Sequence, residues 1–256
     1  MSIQQLNHLK DFKSKIAAGK ICQGLVIQLT DPVIGEIAGE AGFDFTWIDA
    51  EHGPHTLQTI QNFLFAQRGT GCAPFVRAAW NEWGVIKPIL DLAPAGIIVP
   101  MVCSREEAEK AVANCKYPPV GRRGFGARRG TGYGRVSLEK YLKSSESNPM
   151  VIIQIEHIDA VNHLDEILKV PGIDSICIGP MDLSGSMGLL GQTSHPEVIK
   201  AMDYIAEKTH AAGLLLGTAS GAPMSDWRAR GIHWIARFSD SDAIATFSRK
   251  MLAEEE

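Results

Sequence analysis

Short apolar runs rich in β-branched residues alternate along the chain with longer segments of helical periodicity. The runs predict eight strands, at residues 22–28, 44–48, 73–77, 96–99, 150–156, 174–178, 214–218 and 232–236. Helix start signals lie between them: Asp31-Pro32 precedes an apolar helical face, and residues 104–107 and 194–197 have the composition of capping boxes. A strand followed by a helix, repeated eight times, predicts an α/β fold of the (β/α)8 or TIM barrel type.

The pattern continues without a linker or low-complexity tract, so the sequence predicts one barrel domain over residues 1–256. An open doubly wound sheet is the competing architecture. Its nucleotide-binding version needs a GxGxxG turn after the first strand, whereas Gln28-Leu29-Thr30-Asp31 follows here. Helically spaced apolar residues before the first strand predict an N-terminal helix that closes the bottom of the barrel: Leu9, Phe12, Ile16 and Ala17.

Charge and cysteine content narrow the function classes. With 29 acidic and 25 basic residues and a net charge of -4, the chain has no general attraction for nucleic acid or anionic membranes. Its five cysteines are odd in number and form no CxxC pair, which argues against a disulfide framework or a structural zinc site. No apolar run approaches the ~18 residues of a membrane span. We therefore expect a cytoplasmic protein with neither a nucleic-acid nor a membrane partner.

In a (β/α)8 barrel the active site lies at the carboxyl ends of the strands. Two carboxylates, Glu156 and Asp182, follow consecutive apolar strands, so we expect them to be neighbours. Like charges at one site either raise a pKa or recruit a cation, and two oxygen ligands suit Mg²⁺ or Mn²⁺. The alternative is structural: Glu156 caps the next helix and Asp182 caps a turn.

A second group is Asp49-Ala50-Glu51-His52, where a strand ends at an aspartate and a histidine follows three residues later. A carboxylate bound to one ring nitrogen would leave the other nitrogen of His52 free to move a proton near neutral pH. Glu51 and His55 are rivals for this role, and a loop histidine can also be simply solvated or capping.

Arg77 ends the third predicted strand, where a permanent cation needs an anionic partner. A substrate carboxylate or enolate oxygen would serve, and the alternative is an internal ion pair with Glu51 or Asp49. No lysine lies at a predicted strand end, which argues against Schiff-base chemistry, and no GxSxG turn is present.

A long connection rich in glycine and arginine lies between the fourth and fifth predicted strands; we call residues 116–135 the Gly/Arg segment. Glycine permits close backbone approach and arginine binds oxyanions through paired hydrogen bonds. A phosphate cradle, a nucleic-acid contact, a substrate lid and a solvated surface loop are all open interpretations.

Five strings in the right order resemble the HpcH/HpaI aldolase family: FDFTWIDAEHGPH, PFVRAAW, AGIIVPMVCSREEAEKAVANCKYPPVGRRGFG, VIIQIEHIDAVNHLDEIL and VPGIDSICIGPMDLSGSMG. The similarity spans nearly the whole chain. Within the family, the chain looks most like the members that act on 4-hydroxy-2-oxoheptanedioate, 2-keto-3-deoxy-L-rhamnonate or 2-dehydro-3-deoxyglucarate, in the catabolism of aromatic or sugar acids. The resemblance also implies a swapped last helix and a homo-hexamer.

The resemblance further implies a role for individual residues. Glu156 and Asp182 look like the metal ligands, and Arg77 looks like the contact for the carbonyl or enolate oxygen. His52 with Asp49 resembles the acid/base dyad. The remaining implied substrate contacts are Gln154, through water, and the backbone around Gly179, Pro180 and Met181.

The implied reaction is reversible cleavage of a 4-hydroxy-2-oxo acid to pyruvate and an aldehyde, with Mg²⁺, Mn²⁺ or Co²⁺ stabilising the enolate. A carbon–carbon lyase for acyl-CoA thioesters, of the malyl-CoA or citryl-CoA type, is the alternative within the same family. A barrel that binds anions without catalysis is the alternative outside it. Met181 and Arg237-Phe238-Ser239-Asp240 depart from the common family pattern, which leaves the aldehyde open.

Overall fold

Eight parallel strands close into a barrel in the computed structural model, which describes residues 4–253. Each strand pairs with the next along the chain, and β8 pairs with β1, so the sheet has no edge. The predicted (β/α)8 barrel is therefore confirmed. The strands are β1 Cys22–Ile27, β2 Phe45–Asp49, β3 Ala73–Arg77, β4 Gly96–Val99, β5 Met150–Ile155, β6 Ser175–Ile178, β7 Leu215–Ala219 and β8 Trp234–Ser239.

Helices cover the outside of the barrel. Among the described residues none is both long and apolar enough to cross a membrane. A short 3-10 helix, Gln67–Gly69, follows α4. The α-helices are α1 Gln4–Asn7, α2 Leu9–Ala17, α3 Val33–Glu40, α4 Leu57–Ala66, α5 Trp83–Asp91, α6 Arg105–Cys115, α7 Leu138–Ser145, α8 Ile158–Asn162, α9 Leu164–Ile167, α10 Pro180–Ser186, α11 Pro196–Ala211, α12 Met224–Ala229 and α13 Asp240–Ala253.

Two sequence signals need correction. The last strand, predicted at 232–236, begins at Trp234 and runs to Ser239, because its pairing with β1 sets Trp234 opposite Cys22. The capping residue of α11 is His195 rather than Ser194. Its Nδ1 accepts the N–H of Glu197, since Pro196 occupies the first helical position.

The N-terminal helix closes the bottom of the barrel, as predicted. Phe12 of α2 packs edge-on against Phe45 and Phe75, with ring centroids 5.7 and 4.9 Å away. Trp234 completes this aromatic layer, and glycine makes room for it: a Cβ at Gly217 would lie 1.8 Å from the Trp234 ring. The bottom of the barrel is therefore a packed apolar core rather than a channel.

The Gly/Arg segment lies at this same bottom end. It follows the carboxyl end of α6, and Arg129 donates hydrogen bonds to the carbonyls of Leu64 and Leu92, at the carboxyl ends of α4 and α5. Barrel helices run antiparallel to the strands, so their carboxyl ends lie at the face opposite the strands' carboxyl ends. Arg129, a buried arginine of this segment, therefore lies away from this chain's own strand ends.

Candidate active site

A buried ion pair joins the carboxyl ends of β2 and β3. Asp49 and Arg77 are register partners, and the guanidinium donates Nε to Oδ1 at 2.9 Å and Nη2 to Oδ2 at 2.6 Å. Burial on its own raises the pKa of Asp49, but the hydrogen bond and charge of Arg77 outweigh it and lower that pKa. Asp49 therefore stays ionised and holds Arg77 in one orientation.

The turn after β2 is built on the same carboxylate. Oδ1 of Asp49 also accepts the backbone N–H groups of Glu51 and His52, each at 3.2 Å. A side chain at Gly53 would collide with the Asp49 carbonyl, because a Cβ there would lie 2.3 Å from that oxygen. The turn leaves the His52 side chain exposed.

The expected side-chain pair between Asp49 and His52 is therefore wrong in its geometry. Asp49 contacts the main chain of His52 and the guanidinium of Arg77 instead of the imidazole ring. The physical reason is that a guanidinium is always charged and offers two parallel donors, so it outcompetes an imidazole for the carboxylate. Asp49 can still position His52 through the turn.

The two rivals of His52 have partners of their own. Nε2 of His55 donates to the carbonyl of Ile27 at 3.0 Å, while its Nδ1 is buried and has no hydrogen-bond partner among the described residues. Glu51 forms an ion pair with Nη1 of Arg77 at 2.9 Å. Burial raises the pKa of Glu51, and the charge of Arg77 offsets part of this. Arg77 thus pairs with both acids that the sequence had suggested as structural partners.

Glu156 is buried at the end of β5. Oε1 accepts the backbone N–H of Met101 at 2.9 Å, and Oε2 accepts a hydrogen bond from the Gln154 amide. Its pKa is raised to about 7, mainly by burial and also by the charges of Glu51 and Asp182, while the Met101 N–H and Arg77 act in the opposite direction. Helix α8 is capped by His157, so Glu156 has no capping role.

Asp182 and its neighbours begin α10 beside this carboxylate. Asp182 is exposed within the first turn, and its charge acts on both Glu156 and Glu51. Gly179 lies so close that a Cβ there would be 2.6 Å from Oε2 of Glu156. Pro180 opens the helix, and Met181 is exposed. The structure thus brings the predicted residues of β5 and β6 into one site.

The donor set of this site suits a hard divalent cation. Oε1 of Gln154 is buried without a hydrogen-bond partner among the described residues, and its amide nitrogen contacts the carboxylate of Glu156, so the side chains offer oxygen ligands. Within residues 4–253, no cluster of three or more His, Cys, Asp or Glu side chains is arranged to hold a metal. Two carboxylates, with substrate and water in the other positions, is a pattern that Mg²⁺ and similar ions accept.

Sequence reasoning missed two contributors to the site. Met101, after β4, has a φ of 53° and directs its N–H at Glu156. This contact comes from the main chain, so the type of side chain does not indicate it. Trp47 lies beneath the guanidinium of Arg77, with its ring centroid 5.1 Å away. Its place in an apolar strand suggested only core packing.

Four carboxylates and one guanidinium thus lie at the carboxyl ends of the barrel strands, the face at which barrel enzymes have their active sites. The chain belongs to the HpcH/HpaI aldolase/citrate lyase family, whose sequence pattern matches residues 23–234. The predicted family is confirmed, and the chain is accordingly a carbon–carbon lyase.

Relatives of known name support this placement. The chain is 36% identical over 211 residues to the hydroxypyruvate/pyruvate aldolase of Roseobacter denitrificans, covering 81% of this chain and 82% of the relative. It is 37% identical over 228 residues to a 5-keto-4-deoxy-D-glucarate aldolase of Escherichia coli, covering 89% and 88%. The solved HpcH/HpaI aldolase of Desulfitobacterium hafniense superimposes with a TM-score of 0.88 at 30% identity, covering 94% and 95%.

Proposed function

We propose that the chain is a divalent-metal-dependent aldolase that reversibly cleaves 4-hydroxy-2-oxo acids to pyruvate and an aldehyde. The observation that carries this proposal is Glu156, a buried carboxylate whose pKa burial raises to about 7 and which faces the charges of Asp182 and Glu51. A cation at this position removes the repulsion that the three carboxylates otherwise exert on one another. Two relatives named as aldolases, for pyruvate and for a keto-deoxy sugar acid, support the substrate class.

Glu156 and Asp182 would hold the cation, and Gln154 would contact it through water. Mg²⁺, Mn²⁺ and Co²⁺ are the candidates, since all accept carboxylate and water oxygens. When bound, such an ion supplies Lewis-acid polarisation of the 2-oxo acid. The Met101 N–H fixes the orientation of the Glu156 carboxylate before the ion arrives.

Arg77 would donate hydrogen bonds to the substrate oxygen on which negative charge develops. Asp49 accepts hydrogen bonds from two of its five N–H donors, and the ion pair with Glu51 helps to hold the guanidinium rigid, so the remaining donors would be available to the substrate. The backbone around Gly179, Pro180 and Met181 would receive the carboxylate of pyruvate. The absent side chain at Gly179 keeps that approach open beside Glu156.

His52 would take the proton of the 4-hydroxyl group as the aldehyde leaves, and return a proton to the carbon that becomes the methyl group of pyruvate. Its exposed side chain stands on a turn that Asp49 fixes, so it can reach a substrate without breaking an existing contact. His55 is less suited, because its Nε2 already donates to Ile27.

We also propose that the chain works as a homo-oligomer, a hexamer in which α13 swaps between subunits. Asp240 is the buried residue of α13, and its carboxylate accepts the N–H groups of Gln28 and Leu29. The rest of the helix exposes large apolar side chains that a neighbouring subunit would cover: Ile244, Phe247, Met251 and Leu252.

The compartment we propose is the cytoplasm. All five cysteines are free, and four of them are buried. A reducing compartment is where unpaired thiols of this kind persist.

The test is pyruvate release from racemic 4-hydroxy-2-oxo acids of short, dicarboxylic and sugar-derived types. We expect release with Mg²⁺, Mn²⁺ or Co²⁺, loss of release with EDTA, and recovery when the metal is restored. Release that persists in EDTA would overturn the metal dependence. No release from any of these acids, with cleavage of malyl-CoA or citryl-CoA instead, would replace the aldolase with the thioester lyase.

A further inference from the structure

A second polar cavity lies at the bottom of the barrel, opposite the candidate active site. It has a volume of about 210 Å³ and is lined by three arginines, Arg68, Arg129 and Arg135, together with Phe65 and Tyr133. None of the described residues that line it is acidic. Two of these guanidinium groups, those of Arg129 and Arg135, form no ion pair with a carboxylate among the described residues, so the cavity offers positive charge to a ligand.

Arg129 is the buried member of this group, and it is only 4% exposed. Its three hydrogen bonds all go to backbone carbonyls, those of Leu64, Leu92 and Ala93, at 2.8 to 3.3 Å. A guanidinium has five N–H donors, so two remain without an acceptor among the described residues. The pKa of Arg129 is lowered to about 10, mainly by burial and also by the charge of Arg68, and Tyr133 only partly offsets this.

The other two buried arginines show what Arg129 lacks. Arg77 pairs with Asp49 and Glu51, and Arg123 contacts Asp91 at 3.3 Å. Each thus has a carboxylate to compensate its desolvation. Arg129 has only the negative ends of two helix dipoles, which are worth a fraction of a full charge.

The wall of the cavity is a left-handed turn. Gly132, Tyr133 and Gly134 have φ values of 59°, 58° and 92° in succession. A tyrosine in this region of backbone space carries a conformational cost that persists only where the surroundings hold it. The turn sets Tyr133 and Arg135 on one side of the cavity, while Phe65 lies 5.8 Å from the guanidinium of Arg129 on the other.

We propose that this cavity binds the oxyanion group, carboxylate or phosphate, of a small metabolite, with Arg129 and Arg135 as its principal donors. The two unused N–H donors of Arg129 suit paired hydrogen bonds to such a group, and the aromatic rings of Phe65 and Tyr133 suit an apolar or planar remainder. This proposal does not depend on the reaction proposed above.

The proposed anion site borders the junction of two helices. Arg129 joins the carboxyl ends of α4 and α5. Helix α4 follows the loop that carries His52, and α5 follows the loop after Arg77. An anion on Arg129 would therefore bind at the junction of these two helices and stabilise it.

The test measures anion binding to the full-length protein in EDTA, by calorimetric titration and by Tm, at constant ionic strength set with chloride. The probes are inorganic phosphate and benzoate, in separate titrations, and the tighter of the two identifies the class of oxyanion. We expect saturable binding and a rise in Tm for the unaltered protein. Arg135→Gln should weaken binding about tenfold, the loss of one charged hydrogen bond, and Arg135→Lys should weaken it less.

Arg128→Gln is the matched control, because it removes the same charge from an exposed neighbour that does not line the cavity. It should bind the probe as the unaltered protein does. Arg128 and Arg135 are both exposed, so neither variant should lose its fold. Equal weakening by Arg128→Gln and Arg135→Gln, unchanged binding in Arg135→Gln, or no saturable binding of either probe would overturn the proposal.

Discussion

Each end of the barrel buries an arginine, but the two arginines have different partners. At the carboxyl ends of the strands, Arg77 is clamped by Asp49 and Glu51 and stands near Glu156. At the opposite end, the hydrogen bonds of Arg129 within the described residues all go to backbone carbonyls. One end therefore has an excess of negative charge, and the other has an excess of positive charge. The same residue type thus belongs to a proposed cation site in one place and to a proposed anion site in the other.

The partners of a buried arginine determine whether its charge is compensated. Arg77 follows an apolar run and Arg129 follows a glycine-rich one, and neither sequence shows whether the arginine has a carboxylate partner. Two carboxylates hold the charge of Arg77 in place and leave donors for a substrate. Carbonyls alone leave the charge of Arg129 uncompensated, so it joins two helix ends at a cost in desolvation.

The largest effect is expected from neutralising the acidic end. Glu156→Gln removes one of two proposed ligands of the cation, and several kcal/mol of charge stabilisation go with it. We expect kcat/KM for pyruvate release to fall by about a thousandfold. Steady-state kinetics with saturating Mn²⁺ measures this. Glu139→Gln, an exposed site on α7, is the control and should be near normal. Full activity in Glu156→Gln would move the cation elsewhere.

The arginine of the opposite end should matter for stability and not for chemistry. Arg129→Met removes three hydrogen bonds to the carboxyl ends of α4 and α5 and leaves their carbonyls without a partner. We expect the free energy of unfolding to fall by about 3 kcal/mol. Urea titration followed by circular dichroism measures it, and Arg128→Met is the charge-matched control. Should Arg129→Met retain full stability, its carbonyl contacts would have no structural role.

Proton transfer should depend on His52 alone among the two nearby histidines. His52→Gln keeps the turn and its hydrogen bonds to Asp49 but removes the base, so kcat should fall by about a hundredfold. Pyruvate affinity should stay unchanged, because the proposed carboxylate and cation contacts lie elsewhere. His55→Gln provides the contrast. If that variant loses turnover and His52→Gln does not, the proton transfer belongs to His55.

Much of this architecture could be predicted from the sequence. Short apolar runs between segments of helical periodicity predicted the strands, and the rule that active-site residues lie at strand ends selected Glu156, Asp182 and Arg77. The sequence offered the ion pair of Arg77 with Asp49 only as an alternative and expected Asp49 to pair with the ring of His52, because the choice between these partners depends on register across β2 and β3. The hydrogen bond from the Met101 N–H to Glu156 could not be predicted either, because it depends on the backbone conformation after β4.

The Gly/Arg segment shows the same limit at the other end. Its composition suggested a ligand site, but composition does not say at which face of the barrel a loop lies. That position follows from the length of α6 and from where Arg129 finds acceptors. Only the folded chain reveals that Arg129 has carbonyl partners while Arg123, six residues earlier, contacts Asp91.

The smallest effect concerns the pH dependence of the acidic end without metal. Burial raises the pKa of Glu156 to about 7 from an ordinary 4.5, so the folded protein favours its protonated form. The resulting stability is complete below about pH 4.5 and is lost as pH rises through 7. Glu156→Gln should not show this pH-dependent loss of stability, because the amide does not ionise. In EDTA, the unaltered protein should therefore lose about 2 kcal/mol relative to Glu156→Gln between these pH values.

Urea unfolding of both proteins across this pH range measures that difference. The expected sign is a loss of stability in the unaltered protein, relative to Glu156→Gln, as the pH rises. A cation should cancel the loss, since it compensates the carboxylates at neutral pH. Parallel stability curves for the two proteins in EDTA would mean that Glu156 ionises freely. The acidic end would then have no excess charge for a cation to relieve, and the contrast with the end that contains Arg129 would rest on that arginine alone.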